Sequence, residues 1–311
     1  MRSILWFTHN LAPSEPGLLM TRSTRFHFDA LVSFVPVHAA CLLLLCTPFK
    51  WSYLGWLAVT YGVRMFAITA GYHRYFSHRS FKLDRVSQFV LAFLAQTSAQ
   101  MGVLWWAAHH RAHHRYSDTG KDIHSPISKS FWRSHIGWLV ARESSGYDSR
   151  GMQDFDKFPE LRLLNKYHRA PAILFGAAVA AVGGFPVFLW GFVVSTVVLW
   201  HGTFTINSLA HLWGSRPYET GDQSRNNLFL ALITLGEGWH NNHHQFMYSA
   251  RQGLRWWEID MTYYVLRILS LFGIVRELRA PNPSAILNFR TSIGVGNSAH
   301  TARLRDDLRS Y

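Results

Sequence analysis

Long apolar runs alternate with polar, histidine-rich segments along the chain. Residues 28–49 and 51–72 form two apolar runs joined by a short turn, and each run is long enough to cross a bilayer. A second pair covers residues 168–184 and 187–208, and the Gly-Gly-Phe-Pro sequence at 183–186 is typical of a tight connection. This pattern predicts two helical hairpins, and therefore four transmembrane helices.

The remaining segments, residues 73–167 and 209–280, are polar or only partly apolar. We therefore expect an all-α integral membrane protein in which residues 28–280 form one domain, with these two segments folding into a helical cytosolic cap. The polar residues 1–27 form a separate N-terminal cytosolic segment. The Ser-, Asn- and Arg-rich residues 281–311 are expected to be partly disordered.

Composition supports a membrane protein with a large part that faces water. Charged residues make up 16% of the chain, against roughly 25% in soluble domains, and 49% of the residues are hydrophobic. The mean hydropathy is nevertheless zero. Only a fraction of the chain can therefore be embedded in lipid.

The net charge of +13 is unevenly distributed. The short loops inside the two predicted hairpins nearly lack Lys and Arg, whereas the segments on the other side are rich in them. The positive-inside rule then places both termini and the cap in the cytoplasm. A basic face also suits anionic partners such as lipid headgroups, a phosphorylated acyl carrier or an acidic redox protein. The scattered bases, without a recognition motif, argue against nucleic acid.

The cysteines exclude several classes of metal site. Cys41 and Cys46 are the only two and lie in an apolar run, so a zinc knuckle, a rubredoxin-type site and an iron–sulfur cluster are excluded. Residues 1–20 lack the pattern of a cleaved signal peptide. Arg64 interrupts the second apolar run. A charge at that depth marks a functional site, or its side chain reaches the interface or pairs with an acid.

Closely spaced histidines are the strongest chemical signal in the chain. Two groups have the spacing i, i+3 and i+4, which places three imidazoles on one side of an α-helix at about 100° per residue. A third pair is five residues apart, about 140° around a straight α-helix, so that helix must end or bulge for both to bind one centre. The clustered residues are His110, His113 and His114, then His240, His243 and His244, and the pair His73 and His78.

Eight clustered histidines without a thiol are too many ligands for one ion and suit two. Imidazole binds iron, copper, zinc or nickel. Iron with open coordination positions activates O₂, and a membrane supplies apolar substrates that need such an oxidant. The other histidines are expected to be surface or satisfied core residues: His9, His27, His38, His168, His201 and His300.

These segments resemble the three histidine boxes of the membrane fatty acyl desaturases, and most closely the stearoyl-CoA (Δ9) desaturase-like family. The resemblance extends from about residue 50 to residue 280. The matching motifs are HRYFSH at 73–78, HRAHH at 110–114, NSLAH at 207–211, GEGW at 236–239 and HNNHH at 240–244.

The resemblance implies four transmembrane helices that carry a cytosolic cap with a di-iron site. It also implies that Asp122 and Glu237 orient ligand imidazoles from behind, with Asp118 as a weaker candidate. The two irons would be held by His73, His78, His110, His113, His114, His211, His240, His243 and His244, with Asn207 acting through a water.

The implied reaction is the O₂-dependent introduction of a cis double bond into a long saturated acyl chain, by default at Δ9. The protein would supply a dry, kinked tunnel that fixes which carbons face the iron. Tyr61 and Met65, three and two turns before the first box, are candidates for setting chain length, with ordinary packing as the alternative role. Trp138 is a further candidate substrate contact.

The acyl carrier is where the sequence departs from the family. CoA-using animal members have an Arg-Asp pair just before the second box, where this chain has Ala108 and His109. Arg111 and Arg142 remain as candidate phosphate contacts. Acyl-CoA is the expected substrate form, and an acyl group on a phospholipid or a carrier protein stays open.

Electrons must come from a separate protein. The chain has no haem-binding segment of the cytochrome b5 type and no glycine-rich dinucleotide fingerprint. A ferredoxin, a rubredoxin or a cytochrome b5 with its reductase is therefore implied. Two other functions remain open: a lipid hydroxylase with the same irons, and a histidine-rich membrane metal transporter. The transporter predicts histidines inside the spans, whereas the clustered ones here lie mostly outside them.

Overall fold

The computed structural model describes residues 29–286, and within that range the chain is helical with only isolated β-bridges. The predicted N-terminal segment 1–27 and most of the predicted tail lie outside the described residues. The helices are α1 (Asp29–Ala40), α2 (Trp51–Phe66), α3 (Arg85–Gln96), α4 (Val103–Tyr116), α5 (Phe131–His135), α6 (Gln153–Asp156), α7 (Pro159–Lys166), α8 (Ala170–Phe188), α9 (Ser195–Ser208), α10 (Leu228–Ile233), α11 (His240–Gln245) and α12 (Met261–Leu271).

The two apolar pairs differ in how far the structure supports membrane crossing. One helical stretch among the described residues, Ala170–His211, is long and apolar enough to span a bilayer. The apolar helix Leu31–Cys46 is shorter, and α2 is followed without a break by the segment Ala67–Ser77, which extends beyond the predicted apolar run 51–72 into the cap. The all-helical fold is confirmed, whereas four separate spans are not established by helix length and composition.

A sharp turn at Gly184, inside α8, divides the long apolar stretch into two hairpin arms, residues 170–183 and residues 185–208. Gly184 has φ 69° and ψ −170°, a backbone conformation that a residue with a Cβ rarely adopts. The arms then pack closely, because a Cβ on Gly176 would lie only 3.1 Å from the ring of Phe192. The Gly-Gly-Phe-Pro sequence therefore makes the tight connection that its composition predicts.

Helix α2 runs directly into a π-helix, Ala67–Ser77, which carries the first histidine pair into the cap. This π segment is fully buried and packs against α3 and α4. Tyr72 and Phe76, both inaccessible to solvent, anchor it in the main apolar core. The core therefore holds the backbone that presents His73.

The start of α4 is fixed by a side chain from α7. The Asn165 Oδ1 accepts hydrogen bonds from the backbone N–H groups of Leu104 (3.0 Å) and Trp105 (3.1 Å), two donors that have no partner within the helix. Gly102 permits this contact, since a Cβ there would lie 2.2 Å from the same oxygen. This cap sets the position of the second histidine box.

Arg64 neither reaches the surface nor pairs with an acid among the described residues. Its guanidinium is fully buried and donates hydrogen bonds to Ser195 (2.6 Å) and Thr196 (2.7 Å) of α9. It also lies over the rings of Phe175 (5.1 Å) and Phe192 (5.6 Å). No ion pair to an acid is found for it among the described residues. Arg64 thus joins α2 to the hairpin through hydroxyl groups and aromatic faces.

Candidate metal centre

Nine histidines from four separate segments converge into two adjacent groups. Within each group, one potential ligand atom of every residue lies within 4.8 Å of those of the others. The five-histidine group contains His73, His78, His110, His114 and His243, and the four-histidine group contains His113, His211, His240 and His244.

Each α-helical box contributes to both groups. Helix α4 gives the i and i+4 residues, His110 and His114, to the five-histidine group and the i+3 residue to the other. Helix α11 does the reverse, since His240 and His244 join the four-histidine group and His243 joins the five-histidine group. The same spacing therefore divides its ligands between two centres, which the sequence pattern alone did not predict.

The π-helix explains how the first pair reaches one centre. A backbone hydrogen bond runs from the N–H of His78 to the carbonyl oxygen of His73 (3.2 Å), which is the i→i+5 pattern of a π-helix. Residues five apart then lie on about the same side. The bulge required by the spacing is therefore a π segment, and the rings of the two histidines are 4.9 Å apart.

The Nε2 atoms lie at distances that suit ligands of one ion. In the five-histidine group, His110 Nε2 is 2.9 Å from both His78 Nε2 and His114 Nε2, and His243 Nε2 is 3.0 Å from His73 Nε2. In the four-histidine group, His240 Nε2 is 3.1 Å from both His211 Nε2 and His244 Nε2. Two nitrogens bound at right angles, each about 2.1 Å from a metal, are about 3 Å apart.

Four carboxylates hold the outer nitrogens of these rings. His113 Nδ1 donates to Asp122 (2.9 Å), and His211 Nδ1 donates to Asp118 (2.9 Å). His244 Nδ1 donates to Asp222 (2.6 Å), and His73 Nδ1 donates to Glu237. Donation from Nδ1 fixes the tautomer and leaves the Nε2 lone pair directed inward.

Asp118 and Asp222 change the picture drawn from the sequence. Asp118, the weaker candidate there, makes the same contact with its histidine as Asp122 does. Asp222 was missed, because it lies in an irregular loop where no spacing marks it. The available signal was an acidic residue in the polar segment just before the third box. His124 was also missed: it is buried, and its Nδ1 lies 3.4 Å from Asp122.

The electrostatics favour a neutral imidazole at six of the nine histidines, whereas the charge and hydrogen bond of Asp122 outweigh burial and raise the pKa of His113. Burial, reinforced by neighbouring histidines, lowers the pKa of His110, His114 and His240 well below the ordinary value. Burial alone would raise the pKa of Asp222, but the hydrogen bond from His244 and its charge outweigh it and hold that pKa well below its usual range. Clustered neutral imidazoles with inward lone pairs repel one another, and a cation removes that repulsion. The two groups therefore fit metal ions.

A small cavity of about 60 Å³ borders the five-histidine group through His73 and His110. Most of its surface is apolar, and its lining includes Met65 and Trp138 together with His73 and Asn207. Asn207 thus lies beside the site, and its backbone carbonyl accepts a hydrogen bond from Ser134 (2.8 Å). The two candidates for setting chain length differ in position. Met65 lines the cavity, whereas Tyr61 is not among the lining residues and its hydroxyl donates to the carbonyl of Ile233.

The expected phosphate contact from Arg111 needs correction. Its guanidinium makes two hydrogen bonds to Asp154 (2.8 and 3.0 Å) and donates to the carbonyls of Phe76, Ser77 and Gly151. Every donor group is engaged, so Arg111 braces the first box against the rest of the cap instead. The side chain of Arg142 lies outside the described part of the structure.

Comparison with known proteins agrees with this geometry. Residues 50–271 match the sequence model of the fatty acid desaturase family. An acyl-CoA C20 Delta5-desaturase of Anemone leveillei is 38% identical over 252 residues, which cover 79% of this chain and 80% of the relative. An sn-1 stearoyl-lipid 9-desaturase of Synechocystis sp. is 37% identical over 270 residues (85% and 80%). A Delta-9 desaturase-like 5 protein of Arabidopsis thaliana is 38% identical over 259 residues (81% and 84%).

Proposed function

Because this chain belongs to the fatty acid desaturase family, we propose that it introduces a cis double bond at Δ9 into a long saturated acyl chain. One observation carries the proposal: two adjacent groups of inward-facing imidazoles have Nε2 atoms 2.9 to 3.1 Å apart, and the five-histidine group borders a largely apolar cavity. The 9-desaturase names of two of the relatives support the bond position.

The proposed cofactors are two irons, one in each histidine group. Nitrogen-only donors suit iron as well as copper, zinc and nickel, and the oxidative reaction selects iron among them. When bound, the irons supply O₂ activation and the removal of two hydrogens from adjacent methylenes. Asn207, which borders the cavity, is proposed to hold a water next to the four-histidine group.

The protein's own residues bind, orient and exclude water. The carboxylates behind the histidines keep each ring in one orientation, so that the Nε2 atoms stay converged without bound substrate. Trp105, Trp106 and Trp138 form apolar walls of the cavity. These walls keep water away from the reacting methylenes, and Met65 limits the space beyond them.

The proposed partners are O₂ and a separate electron donor: a ferredoxin, a rubredoxin, or a cytochrome b5 with its reductase. The net charge of +13 supports an acidic donor, since opposite charge speeds the encounter of redox partners.

We also propose that α1, α2, α8 and α9 all cross the membrane and leave the metal centre and both termini in the cytoplasm. Leu45 is 86% exposed and Val182 is 72% exposed, which is unfavourable in water and ordinary in lipid. Residues 28–280 would then act as one domain.

The direct test is expression in a host that lacks unsaturated fatty acids, followed by gas chromatography of total lipid. A new cis monoene supports the proposal and locates the bond. A hydroxy acid would replace it with a hydroxylase, and an unchanged lipid profile with altered metal uptake would favour a transporter. The matched variant is His113→Ala, which should insert in the membrane normally and yield no product.

A further inference from the structure

A second, larger cavity of about 400 Å³ adjoins the metal-site cavity. The two share the residues Gln100, Trp105, Trp106, Trp138 and Phe204 in their linings. The lining of the larger cavity is overwhelmingly apolar. An acyl chain in the larger cavity would therefore lie beside the metal-site cavity, across a boundary made mainly of aromatic side chains.

The larger cavity lies between α1 and α8. Phe34 and Val37 of α1 line one side, and Ala172, Ile173 and Ala177 of α8 line the other. The two helices share no substantial packing interface. Helix α1 packs on segment 189–194, α9 and segment 137–140, whereas α8 packs on segment 189–194, α3 and α2. The cavity is therefore bounded by a slot between two helices that face lipid in the proposed topology.

The rim of this slot is apolar along its length and basic at one end. Val32 of α1 is 61% exposed and Ile173 of α8 is 66% exposed, so lining residues also face outward. At the start of α8, His168 and Arg169 line the cavity, and the exposed Lys166 lies just before them. Such an end matches the depth at which phosphate groups lie above the hydrocarbon of a bilayer.

We propose that this slot admits the acyl chain of a membrane glycerophospholipid sideways from the bilayer, with the phosphate at the basic end of the slot. The substrate is then a lipid-esterified acyl chain rather than acyl-CoA. This inference rests on the proposed desaturase function and assigns its acyl carrier.

The physical argument compares the two carriers. A lipid acyl chain moves from hydrocarbon into an apolar cavity, so little hydrophobic free energy is gained or lost. The water-soluble CoA headgroup carries several phosphates and needs cationic clamps. Among the described side chains at the positions considered for CoA, Arg111 is engaged with Asp154, and neither Ala108 nor His109 supplies a permanent cation. The geometry thus favours the carrier that is already in the membrane.

The decisive experiment offers both carriers to the full chain, loaded with iron in lipid nanodiscs and supplied with a reducing system. One substrate is stearoyl-CoA, and the other is a phosphatidylcholine with an ether-linked octadecyl chain at sn-1, which cannot be transferred to CoA. Desaturation of the ether lipid, at least about tenfold faster than of stearoyl-CoA at equal concentration, is the expected result. Turnover of stearoyl-CoA alone overturns the inference. Turnover of neither substrate rejects the desaturase function itself.

A matched pair of variants tests the path. Ala177 lines the cavity, whereas the neighbouring exposed Ala178 does not. Ala177→Trp should reduce ether-lipid desaturation by at least about tenfold, and Ala178→Trp should leave it unchanged. Equal activity of the two variants would overturn the proposed path.

Photo-crosslinking provides a readout that is independent of metal and turnover. A phosphatidylcholine with a diazirine in its sn-1 chain should label α1 and α8 in the metal-free protein, and Ala177→Trp should reduce that labelling while Ala178→Trp does not. Labelling confined to other helices overturns the inference, as does labelling of α1 and α8 only after residues 1–28 are removed, since that segment would then be the occupant of the slot.

Discussion

The two histidine groups have nearly the same inner geometry and different surroundings. In the four-histidine group, three of the four rings are backed by an aspartate: Asp122, Asp118 or Asp222. In the five-histidine group, the one carboxylate that backs a ring, among the described residues, is Glu237. The group with four imidazoles thus has three carboxylates behind it, and the group with five imidazoles has one.

The negative charge near the five-histidine group is also partly neutralised. Glu237 forms a buried ion pair with Arg74 (3.0 Å), which in turn pairs with Asp260 (2.9 Å). Burial alone would raise the pKa of Glu237, but the charges on His73 and Arg74 outweigh it and hold that pKa at about 2. The comparison indicates that one centre is stabilised by outer charge and the other by the number of its imidazoles.

Removal of a ligand should have the largest effect, and more so where ligands are fewer. His240→Ala leaves three imidazoles in its group, and His110→Ala leaves four. The first variant should lose one iron per chain completely, whereas the second should retain part of it. Iron per chain, measured by elemental mass spectrometry, checks this, with His109→Ala as the control outside both groups. Equal losses would contradict the link between ligand number and retention.

The next largest effect should come from Glu237→Gln. The substitution leaves Arg74 with one acidic partner in a buried environment, and breaking a buried ion pair costs about 3 kcal/mol. We expect a lower Tm even in the metal-free protein, measured by scanning calorimetry. Glu237→Asp keeps the charge and should recover part of the loss. An unchanged metal-free Tm would show that the pair contributes only to metal binding.

Asp222→Asn should weaken metal binding and leave the metal-free Tm nearly unchanged, because no buried cation of the Arg74 kind depends on it. Loss of a group that orients a ligand typically reduces metal affinity about 10- to 100-fold. A competition titration with a chelator measures this. Glu219→Gln, an exposed acid three residues earlier, is the matched control. Similar affinities for the two variants would remove the special role of Asp222.

The smallest effect belongs to an exposed pair far from either group. Arg85 donates to Glu160 (2.7 and 2.8 Å), and this hydrogen bond lowers the pKa of Glu160 to about 2. A lowered pKa in the folded state contributes stability above the ordinary value of 4.5, which is lost as pH falls toward 2. The Tm of Glu160→Gln should match the native protein near pH 2 and lie slightly below it at pH 7. A Tm difference as large as for Glu237→Gln would undermine the contrast between buried and exposed pairs.

The sequence predicted the ligands better than their arrangement. The i, i+3 and i+4 spacing of residues 110–114 and 240–244 identified the imidazoles, because helix geometry alone places them on one side. It could not divide them between two centres, since all three directions fall within a narrow arc. That division depends on where α4 and α11 lie relative to each other.

Two charged residues show why loops and long side chains are harder to predict. Asp222 lies between helices, where no period links position to direction, so its role emerges only from the folded loop. Arg111 is adjacent to a ligand, and its long side chain turns away to Asp154 in the segment between α4 and α7. The sequence indicated the charge of each residue and not its partner.

The π-helix Ala67–Ser77 has a consequence for how this chain tolerates change. A π-helix has about one more residue per turn than an α-helix. This extra residue rotates the directions of His73 and His78 relative to those that a continued α2 would give them. Deletion of one residue would restore the α-helical phase and turn His73 away from His78, although every side chain needed for binding would still be present. Substitutions within the segment alter packing, whereas a single deletion alters direction. The metal centre therefore depends on the number of residues in this segment more than on its composition.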